Sequence, residues 1–235
     1  MIILGFLLGA LLGSFVKAIA DRSLRQESFL GRSYCPSCKH KLSWLDLFPI
    51  LSYLFLRGRC RYCGKKISLE YPGAEAVMGV LVSFMFFYFP PSALPFPLFF
   101  VTVLAIIFLT DFKKYFIPDK VMLPSILIAL LWQPQNILAG ALLGGFFTLL
   151  IILTRGKGMG GGDVKLGAFM GLGLGLYNGI LAVMLAFFIG AIWGLGAIIL
   201  GKKKFKEHIP FGPFLVLGSA VALFWGNEII RLYLR

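Results

Sequence analysis

The sequence predicts an all-α polytopic membrane protein with about eight transmembrane helices and a small cytosolic zinc-ribbon-like insertion between helices 1 and 2. Three observations lead to this prediction. Of the 235 residues, 59% are hydrophobic, and apolar runs long enough to cross a bilayer recur along the whole chain. The basic residues gather in alternate connections between these runs. All four cysteines lie in the one sizeable polar segment.

Eight apolar runs define the predicted spans, with boundaries accurate to a few residues. They cover residues 2–20, 73–89, 96–111, 119–132, 136–154, 164–177, 179–200 and 211–230. The chain is therefore expected to have three parts. These are the first transmembrane helix (1–20), a cytosolic zinc-binding segment (21–72) and a seven-helix transmembrane core (73–235).

The distribution of positive charge predicts the orientation of the chain. All but two of the 23 lysines and arginines lie in four alternate connections, 17–66, 113–120, 155–165 and 202–206. Basic connections stay in the cytosol, so the N-terminus is expected outside. The first run is a retained span rather than a signal peptide, because no positive residue precedes it and a dense basic segment follows it. The same distribution indicates membrane lipid, and not nucleic acid, as the partner of this basic chain.

The four cysteines form two Cys-x2-Cys pairs. Cys35 and Cys38 are separated from Cys60 and Cys63 by 21 residues, which is typical of a four-thiolate zinc site. Disulfides rarely persist in the reducing cytosol, and a small segment with few apolar residues needs such a cross-link. Four thiolates leave no open coordination position, so the predicted zinc is structural. His40, two residues past Cys38, is an alternative ligand.

Two aspartates stand at predicted cytosolic helix ends. Asp111 ends a long uncharged run, and Asp163 follows a glycine-rich stretch that contains Gly160 and Gly162. Ionisable groups in membrane spans are costly and usually functional. The alternative is that both aspartates are edge charges solvated by the cytosol. Asp119, where the fourth span begins, is interpreted as a helix cap.

If Asp111 and Asp163 converge, they form a pair that shares a proton. Two carboxylates about 4 Å apart repel by about 4 kcal/mol at an effective dielectric near 20, so one of them stays protonated. One member can then take a proton from water while the other donates a hydrogen bond to a scissile carbonyl. The glycines before Asp163 would let a substrate backbone lie beside it as an added strand. This pattern is that of an aspartic protease.

Ordered motifs run along nearly the whole chain. The N-terminal half contains Gly13-Ser14-Phe15, the cysteine pairs, Pro49-Ile50-Leu51-Ser52-Tyr53, Leu56-Arg57-Gly58-Arg59-Cys60, and Tyr71-Pro72 with Glu75. The C-terminal half contains Asp111 with Ile117-Pro118-Asp119, Gly160-Gly161-Gly162-Asp163-Val164-Lys165-Leu166, and Pro210-Phe211-Gly212-Pro213-Phe214. On these motifs the chain resembles the bacterial type IV prepilin peptidases, whose G-x-G-D signature matches residues 160–163.

The resemblance implies a two-step enzyme of the bacterial inner membrane. Its substrates would be type IV prepilins or pseudopilins, cleaved after a glycine of the leader peptide at the cytosolic face. The new N-terminus would then be methylated with S-adenosylmethionine. The resemblance assigns Asp111 and Asp163 as the catalytic pair, and Gly160, Gly162 and Lys165 to the substrate loop.

For the methylation step, the resemblance indicates the cytosolic segment and Glu75. Two departures from the family pattern concern this half of the chain. Lys17 stands where the family usually has asparagine, and Glu70 stands where an arginine commonly precedes Tyr-Pro. Neither departure touches the peptidase motifs.

Two other classes of function remain open at this point. A transporter also places acids near membrane glycines, but near the bilayer midplane and at a repeat interface, whereas Asp111 and Asp163 are predicted at one edge. A non-enzymatic membrane scaffold explains the cysteines and leaves Asp111 without a role. Loss of the leader from a prepilin incubated with the purified protein would separate the three.

Overall fold

The computed structural model describes residues 1–156, 159–199 and 210–233, and confirms an all-helical chain with two isolated β-bridges in these ranges. The basic residues Lys157 and Arg235 and the basic run 202–206 lie outside them. The helices are α1 (Ile2–Leu24), α2 (Leu51–Phe55), α3 (Glu70–Tyr88), α4 (Pro95–Lys114), α5 (Asp119–Trp132), α6 (Ile137–Thr154), α7 (Gly161–Ile199) and α8 (Gly212–Tyr233).

Six stretches of the described chain are helical, long and apolar enough to cross a membrane. They are α1, α3, α4, α6 with its preceding turn, α7 and α8. α5 has 14 residues, which at 1.5 Å per residue is about 21 Å and falls short of the roughly 30 Å hydrocarbon core. The chain is thus a multi-pass membrane protein by the length and composition of its helices.

α7 folds back on itself at Gly175, where φ is 76° and ψ is −179°. Only glycine adopts this conformation readily. A Cβ placed on Gly179 would lie 3.8 Å from the Cα of Gly171, although residues eight apart in a straight helix are separated by about 12 Å. The parts 161–174 and 176–199 therefore lie side by side, where the sequence predicts two separate spans.

The structure forms two compact units, Met1–Thr102 and Val103–Arg235. In the first unit, α1 packs along α3 through its glycines. A Cβ on Gly9 would lie 2.8 Å from the Cα of Gly79, and a Cβ on Gly13 would lie 2.7 Å from the Cα of Glu75. Real side chains cannot approach a backbone this closely, so the two helices meet along a face of small residues.

Helices α1 and α3 both extend beyond their predicted cytosolic ends. α1 continues to Leu24, about one turn past residue 20, and α3 begins at Glu70 rather than residue 73. An ion pair between Lys17 and Asp21, four residues apart, joins the predicted part of α1 to the first residue of the added turn. Pairs at this spacing stabilise a helix. The prediction from hydrophobicity ended α1 before the charged residues of this turn, although these residues continue the helix.

In the second unit, the glycines of α7 and α8 allow close packing. A Cβ on Gly171 would lie 2.7 Å from the Cα of Gly140 in α6, and a Cβ on Gly218 of α8 would lie 3.1 Å from the backbone nitrogen of Ala186. The first residue of α8 lies against the end of α4, where a Cβ on Gly212 would be 2.5 Å from the Asp111 carboxylate.

Candidate functional site

Asp111 lies near the C-terminal end of α4, and only 6% of its surface is exposed. Its Oδ2 accepts a hydrogen bond of 3.0 Å from the backbone N–H of Gly212, the first residue of α8. The first N–H groups of a helix have no partner within the helix and carry partial positive charge. A Cβ at residue 212 would lie only 2.5 Å from that Oδ2, so the approach requires glycine.

Asp163 is the third residue of α7 and is tied to Gly160 in both directions. Its N–H donates to the Gly160 carbonyl at 3.1 Å, and its Oδ2 accepts from the Gly160 N–H at 3.1 Å. This reciprocal bonding is a capping arrangement. A Cβ on Gly162 would lie 3.0 Å from the Ile117 side chain. Gly160 therefore supplies a donor, and Gly162 supplies the space for Ile117.

Gly162, next to Asp163, packs against Ile117, six residues past Asp111, and this contact brings the start of α7 beside the end of α4. The charge of Asp163 acts on the Asp111 carboxyl group. Each has one oxygen held by a backbone N–H at the start of a helix. Such a pair can share one proton and act on a bound water. The sequence placed the two aspartates at helix ends, and the structure brings them together; their catalytic role stays a prediction.

Asp119 is not the helix cap that the sequence analysis expected. Pro118 occupies the N-cap position of α5 and no side chain caps the helix. The Asp119 carboxylate instead forms an ion pair with the Lys165 ammonium group, with 2.5 Å between Oδ1 and Nζ. The interpretation was wrong because the lysine, two residues past Asp163, offers a full charge in place of free amides. This pair joins the starts of α5 and α7 beside the two aspartates.

The four cysteine sulfur atoms all lie within 4.8 Å of one another, and those of Cys35 and Cys63 are 4.0 Å apart. Tetrahedral zinc with bonds of about 2.3 Å to sulfur sets its ligands about 3.8 Å apart, so the residues present fit the ion. Burial alone would raise the pKa of the Cys35 thiol, but backbone N–H groups of Cys38 and Ser37 lower it to about 7. A lowered pKa favours the thiolate that a metal requires.

The two cysteine pairs form matching knuckles related by a shift of 25 residues along the chain. In each knuckle the N–H of the first cysteine donates to the carbonyl five residues later, at 2.9 Å, and the residue after the second cysteine has a positive φ. The corresponding residues are Cys35, His40 and Lys39 in the first knuckle, and Cys60, Lys65 and Gly64 in the second. One isolated antiparallel bridge closes each, Tyr34 with Lys41 and Arg59 with Lys66.

His40 lies outside the cluster of candidate ligands. Its ring is stacked against Tyr62, with 3.7 Å between ring centroids, and the cluster consists of the four cysteines alone among the described residues. The four-thiolate set predicted from the spacing is therefore the one that the structure assembles.

Glu75, the residue predicted for methylation, is buried in the first turns of α3. Its Oε2 accepts a hydrogen bond of 2.7 Å from the N–H of Ile50, and its carboxylate also bonds the Ser14 side chain. Ile50 has a φ of 61°, which is unfavourable for a β-branched residue. Glu75 thus holds an irregular turn against α1 and α3. The sequence contained all three residues in its motifs but no sign of their contact.

The apolar helices and the interacting carboxyl groups define a class, the multi-pass membrane proteins with an acid pair. Comparison with known proteins identifies the family. The profile described as Bacterial Peptidase A24 N-terminal domain matches residues 7–89, and that of the Type IV leader peptidase family matches residues 98–195. The chain belongs to the type IV leader peptidase family, as its motifs predicted. Family membership favours neither the transporter nor the scaffold alternative.

The chain is similar to several proteins named prepilin leader peptidase/N-methyltransferase. That of Bacillus subtilis (strain 168) is 36% identical over 240 residues, covering 98% of this chain and 96% of the relative. That of Aeromonas salmonicida (strain A449) is 34% identical, covering 89% and 77%. That of Burkholderia pseudomallei (strain 1026b) is 37% identical, covering 91% and 74%. No solved structure matches the chain.

Proposed function

We propose that this protein is an aspartic endopeptidase of the bacterial inner membrane that removes the leader peptide of type IV prepilins or pseudopilins after a glycine. It then methylates the new N-terminus with S-adenosylmethionine. Its family and the names of its relatives support both activities. The observation that carries the peptidase assignment is the interacting pair Asp111 and Asp163, each with one oxygen bound by a backbone N–H.

In the proposed cleavage step, the two aspartates share one proton. The ionised member takes a proton from a water molecule, whose oxygen then attacks the carbonyl carbon of the scissile peptide bond. The protonated member hydrogen-bonds the carbonyl oxygen. The tetrahedral intermediate collapses when the amide nitrogen receives a proton and leaves as the new amino terminus. The N–H groups of Gly212 and Gly160 keep the two carboxyl groups oriented throughout.

The substrate loop is proposed to be the turn that begins α7. Gly160 has nothing within van der Waals distance of a Cβ apart from its own loop, and Gly162 fits closely against Ile117. A substrate strand beside this loop would meet open backbone on the Gly160 side. Lys165, paired with Asp119, is proposed to position the loop rather than to contact the scissile bond.

We further propose eight membrane crossings, which are the six long apolar helices with α7 counted twice and the shorter α5 as the eighth. The N-terminus would lie outside and the acid pair at the cytosolic face. α7, at 39 residues, would be about 58 Å long if straight, twice the thickness of the hydrocarbon core. Its fold at Gly175 lets it cross twice. The positive-inside distribution of basic residues supports the cytosolic placement of the end of α4 and the start of α5.

The test of the peptidase proposal is leader cleavage by purified variants in lipid vesicles. Asp111→Asn and Asp163→Asn retain an oxygen that can accept from Gly212 or Gly160, so the fold should persist. Each variant should lose cleavage by at least about 10²-fold, the typical contribution of a general base. Asp119→Asn, the matched control, should retain substantial cleavage. Near wild-type cleavage by either of the first two variants would falsify the pair.

For the methyl-transfer step, the proposal is that Glu75 and the cytosolic segment 21–72 serve the reaction. The amine nitrogen would lose a proton and bond the methyl carbon of S-adenosylmethionine, whose sulfur–methyl bond breaks to leave the neutral thioether S-adenosylhomocysteine. The buried Glu75 holds the turn at Ile50, and its charge would orient the incoming amine or the sulfonium. Glu75→Ala should retain cleavage and lose methylation.

Two substitutions at residue 75 separate these roles. Glu75→Gln keeps an oxygen acceptor for the Ile50 N–H and removes the charge. If the charge matters, Glu75→Gln should lose methylation of a precut pilin as fully as Glu75→Ala does. If only the anchoring matters, Glu75→Gln should methylate normally. Equal loss of cleavage and methylation in Glu75→Ala would indicate a packing defect.

A structural zinc ion at Cys35, Cys38, Cys60 and Cys63 completes the proposal. Sulfur atoms within 4.8 Å of one another, in two matching knuckles, support it. With four thiolates bound, zinc would hold the two knuckles together and take no part in either reaction.

A further inference from the structure

The short elements between the second cysteine of the first knuckle and the first cysteine of the second expose an apolar surface. The turn Trp44–Leu47 and helix α2 contain no buried residue. Trp44 is 71% exposed and Phe55 is 83% exposed, and between them Phe48, Leu51 and Leu54 also face outward. Five large apolar side chains exposed within twelve residues form an apolar patch. Hydrophobic residues exposed singly on a protein surface do not form such a patch.

The one acid in this stretch is turned away from the patch. Asp46 has a side chain only 3% exposed and accepts a hydrogen bond of 2.8 Å from the Arg61 guanidinium group. Ser43 donates to it from both its hydroxyl and its backbone N–H. Burial alone would raise the pKa of Asp46, but these bonds hold it below its usual value. The exposed face of residues 44–55 therefore carries no charge.

The patch lies at the depth of a membrane-spanning helix. Ile50 donates to Glu75, which is five residues inside α3, or about 8 Å below the start of that helix. α3 has 19 residues, about 28 Å in length, so nearly all of it is needed to cross a core of roughly 30 Å. The turn bonded to Glu75 must then lie within the bilayer, near the membrane surface at which α3 begins.

Much of the backbone of α2 and of the turn after it is paired within the segment. Six N–H groups bond nearby carbonyls: Ser52 to Phe48, Leu54 to Ile50, Leu56 to Ser52, Arg57 to Leu54, Gly58 to Tyr53 and Arg59 to Leu56. Ile50 is satisfied by Glu75, and Pro49 has no N–H. In a non-polar environment, only backbone N–H and C=O groups without a hydrogen-bond partner are strongly destabilising.

Basic residues border the patch. Arg57, Arg59, Lys65 and Lys66 follow α2 and are exposed. An apolar surface with a cationic border is the pattern of elements that lie in a membrane interface, where the border meets anionic lipid headgroups. A soluble protein partner could not reach a surface that lies below the start of a membrane-spanning helix.

We propose that residues 44–55 form an interfacial element whose apolar face is embedded in the lipid bilayer next to α1 and α3. Glu75 is the internal tether that sets its depth, and the arginines and lysines after α2 contact anionic headgroups. The zinc-binding knuckles are thereby held against the membrane surface. Glu75 is also the residue proposed for methylation, but this inference uses only its contact with Ile50 and not that role.

Tryptophan fluorescence of the full chain tests the proposal. The chain has four tryptophans, so Trp132, Trp193 and Trp225 are replaced by phenylalanine, leaving Trp44. This protein is placed in phosphatidylethanolamine–phosphatidylglycerol vesicles containing brominated phosphatidylcholine. Trp44 should be quenched by bromines near the headgroups more than by bromines near the bilayer centre, and should resist acrylamide in the water.

Matched positions provide the controls. In a tryptophan-free chain, Phe55→Trp should behave as Trp44 does, whereas Ser37→Trp, exposed in the first knuckle, should be quenched by acrylamide and not by brominated lipid. Replacing Leu54 and Phe55 by serine should weaken lipid quenching of Trp44. Replacing Leu30, which is 91% exposed outside the patch, should leave it unchanged. Far-UV circular dichroism and thermal unfolding show whether each variant has folded.

Two outcomes would overturn the proposal. One is free quenching of Trp44 and Phe55→Trp by acrylamide, equal to that of Ser37→Trp. The other is protection of both positions only after a prepilin peptide is added, which would make the patch a substrate-docking surface rather than a lipid-binding one.

Discussion

Lys17 of α1 and Glu70 of α3 form an ion pair, with 3.3 Å between Nζ and Oε2. Lys17 is buried, and its ammonium group also pairs with Asp21 and lies 4.4 Å from the ring centre of Tyr71. The Tyr71 hydroxyl donates to Asp21 at 2.7 Å. Lys17 and Glu70, the two residues that the resemblance marks as departures, are therefore partners of each other. A cation at 17 and an anion at 70 act together across α1 and α3.

Lys17 should contribute more to stability than Glu70. Lys17→Met removes the cation that is ion-paired with the mostly buried Asp21 and should lower the free energy of unfolding by about 1–3 kcal/mol. Glu70 is about half exposed, so Glu70→Gln should cost less than about 1 kcal/mol. Thermal unfolding of the detergent-solubilised variants measures both. An equal loss of unfolding free energy in the two variants would mean that Lys17 acts through Glu70 and that its pair with Asp21 adds nothing to stability.

Gly212→Ala should abolish leader cleavage by displacing the Asp111 carboxyl group. The added Cβ would lie 2.5 Å from Oδ2, and the N–H that orients Asp111 would move with it. Gly145→Ala, in α6, is the matched control, because a Cβ there meets nothing within 4 Å. Alanine in place of that helical glycine should be neutral or stabilising by about 1 kcal/mol. Cleavage and thermal stability are measured together. Full activity in Gly212→Ala would show that Asp111 does not need this contact.

The Asp119–Lys165 pair should matter little to stability and more to the loop beside Asp163. Both partners are substantially exposed, at 58% and 34%, so Lys165→Gln should cost less than about 1 kcal/mol. Exchanging the two, with lysine at 119 and aspartate at 165, should restore any cleavage that Lys165→Gln loses. A failure of the exchange to restore cleavage would indicate that Lys165 contacts the substrate directly.

Metal content should depend on the cysteines of both knuckles alike. Cys38→Ser and Cys63→Ser occupy equivalent places in the repeat, so both should lose most bound zinc and make the 21–72 segment more sensitive to protease. His40→Ala should keep a full complement, because its ring is stacked on Tyr62. Elemental analysis of the purified variants measures the number of zinc ions bound per chain. Full zinc loading in Cys38→Ser would exclude the four-thiolate site.

Acid should loosen the segment around Asp46. The pKa of this carboxyl group is held below its usual value by Ser43 and Arg61. Its stabilising effect is therefore complete above the unfolded value of about 3.9 and is lost as the pH falls through the lower folded pKa. Asp46→Asn should be less stable than the unaltered protein at pH 7, and the difference should shrink in acid. Protease sensitivity of residues 44–61 against pH measures this. A difference that does not change with pH would contradict it.

Much of this protein can be predicted from local features of its sequence. Apolar run length determines which segments are helices that can cross a membrane, and the paired spacing of the cysteines determines the cluster that the structure assembles. The motifs also identify the family. These features are readable because they depend on residues close together in the chain, and a bilayer permits few other solutions for an apolar run.

Other features were decided only by tertiary packing. The contact of Gly212 with Asp111 joins residues about a hundred positions apart, and neither residue shows in its own neighbourhood that the other is there. The same holds for Glu75 and Ile50 and for Lys17 and Glu70. Asp119 followed Pro118 as a cap would, and only the packing of α5 beside α7 showed that Lys165 takes its carboxylate. Helices in a membrane associate through close van der Waals contact between small residues. Glycine and alanine allow this contact with many different helices, so their positions in the sequence do not show which helix they will meet. The sequence therefore determined the helices and the metal ligands, whereas the folded chain decided which distant polar groups meet.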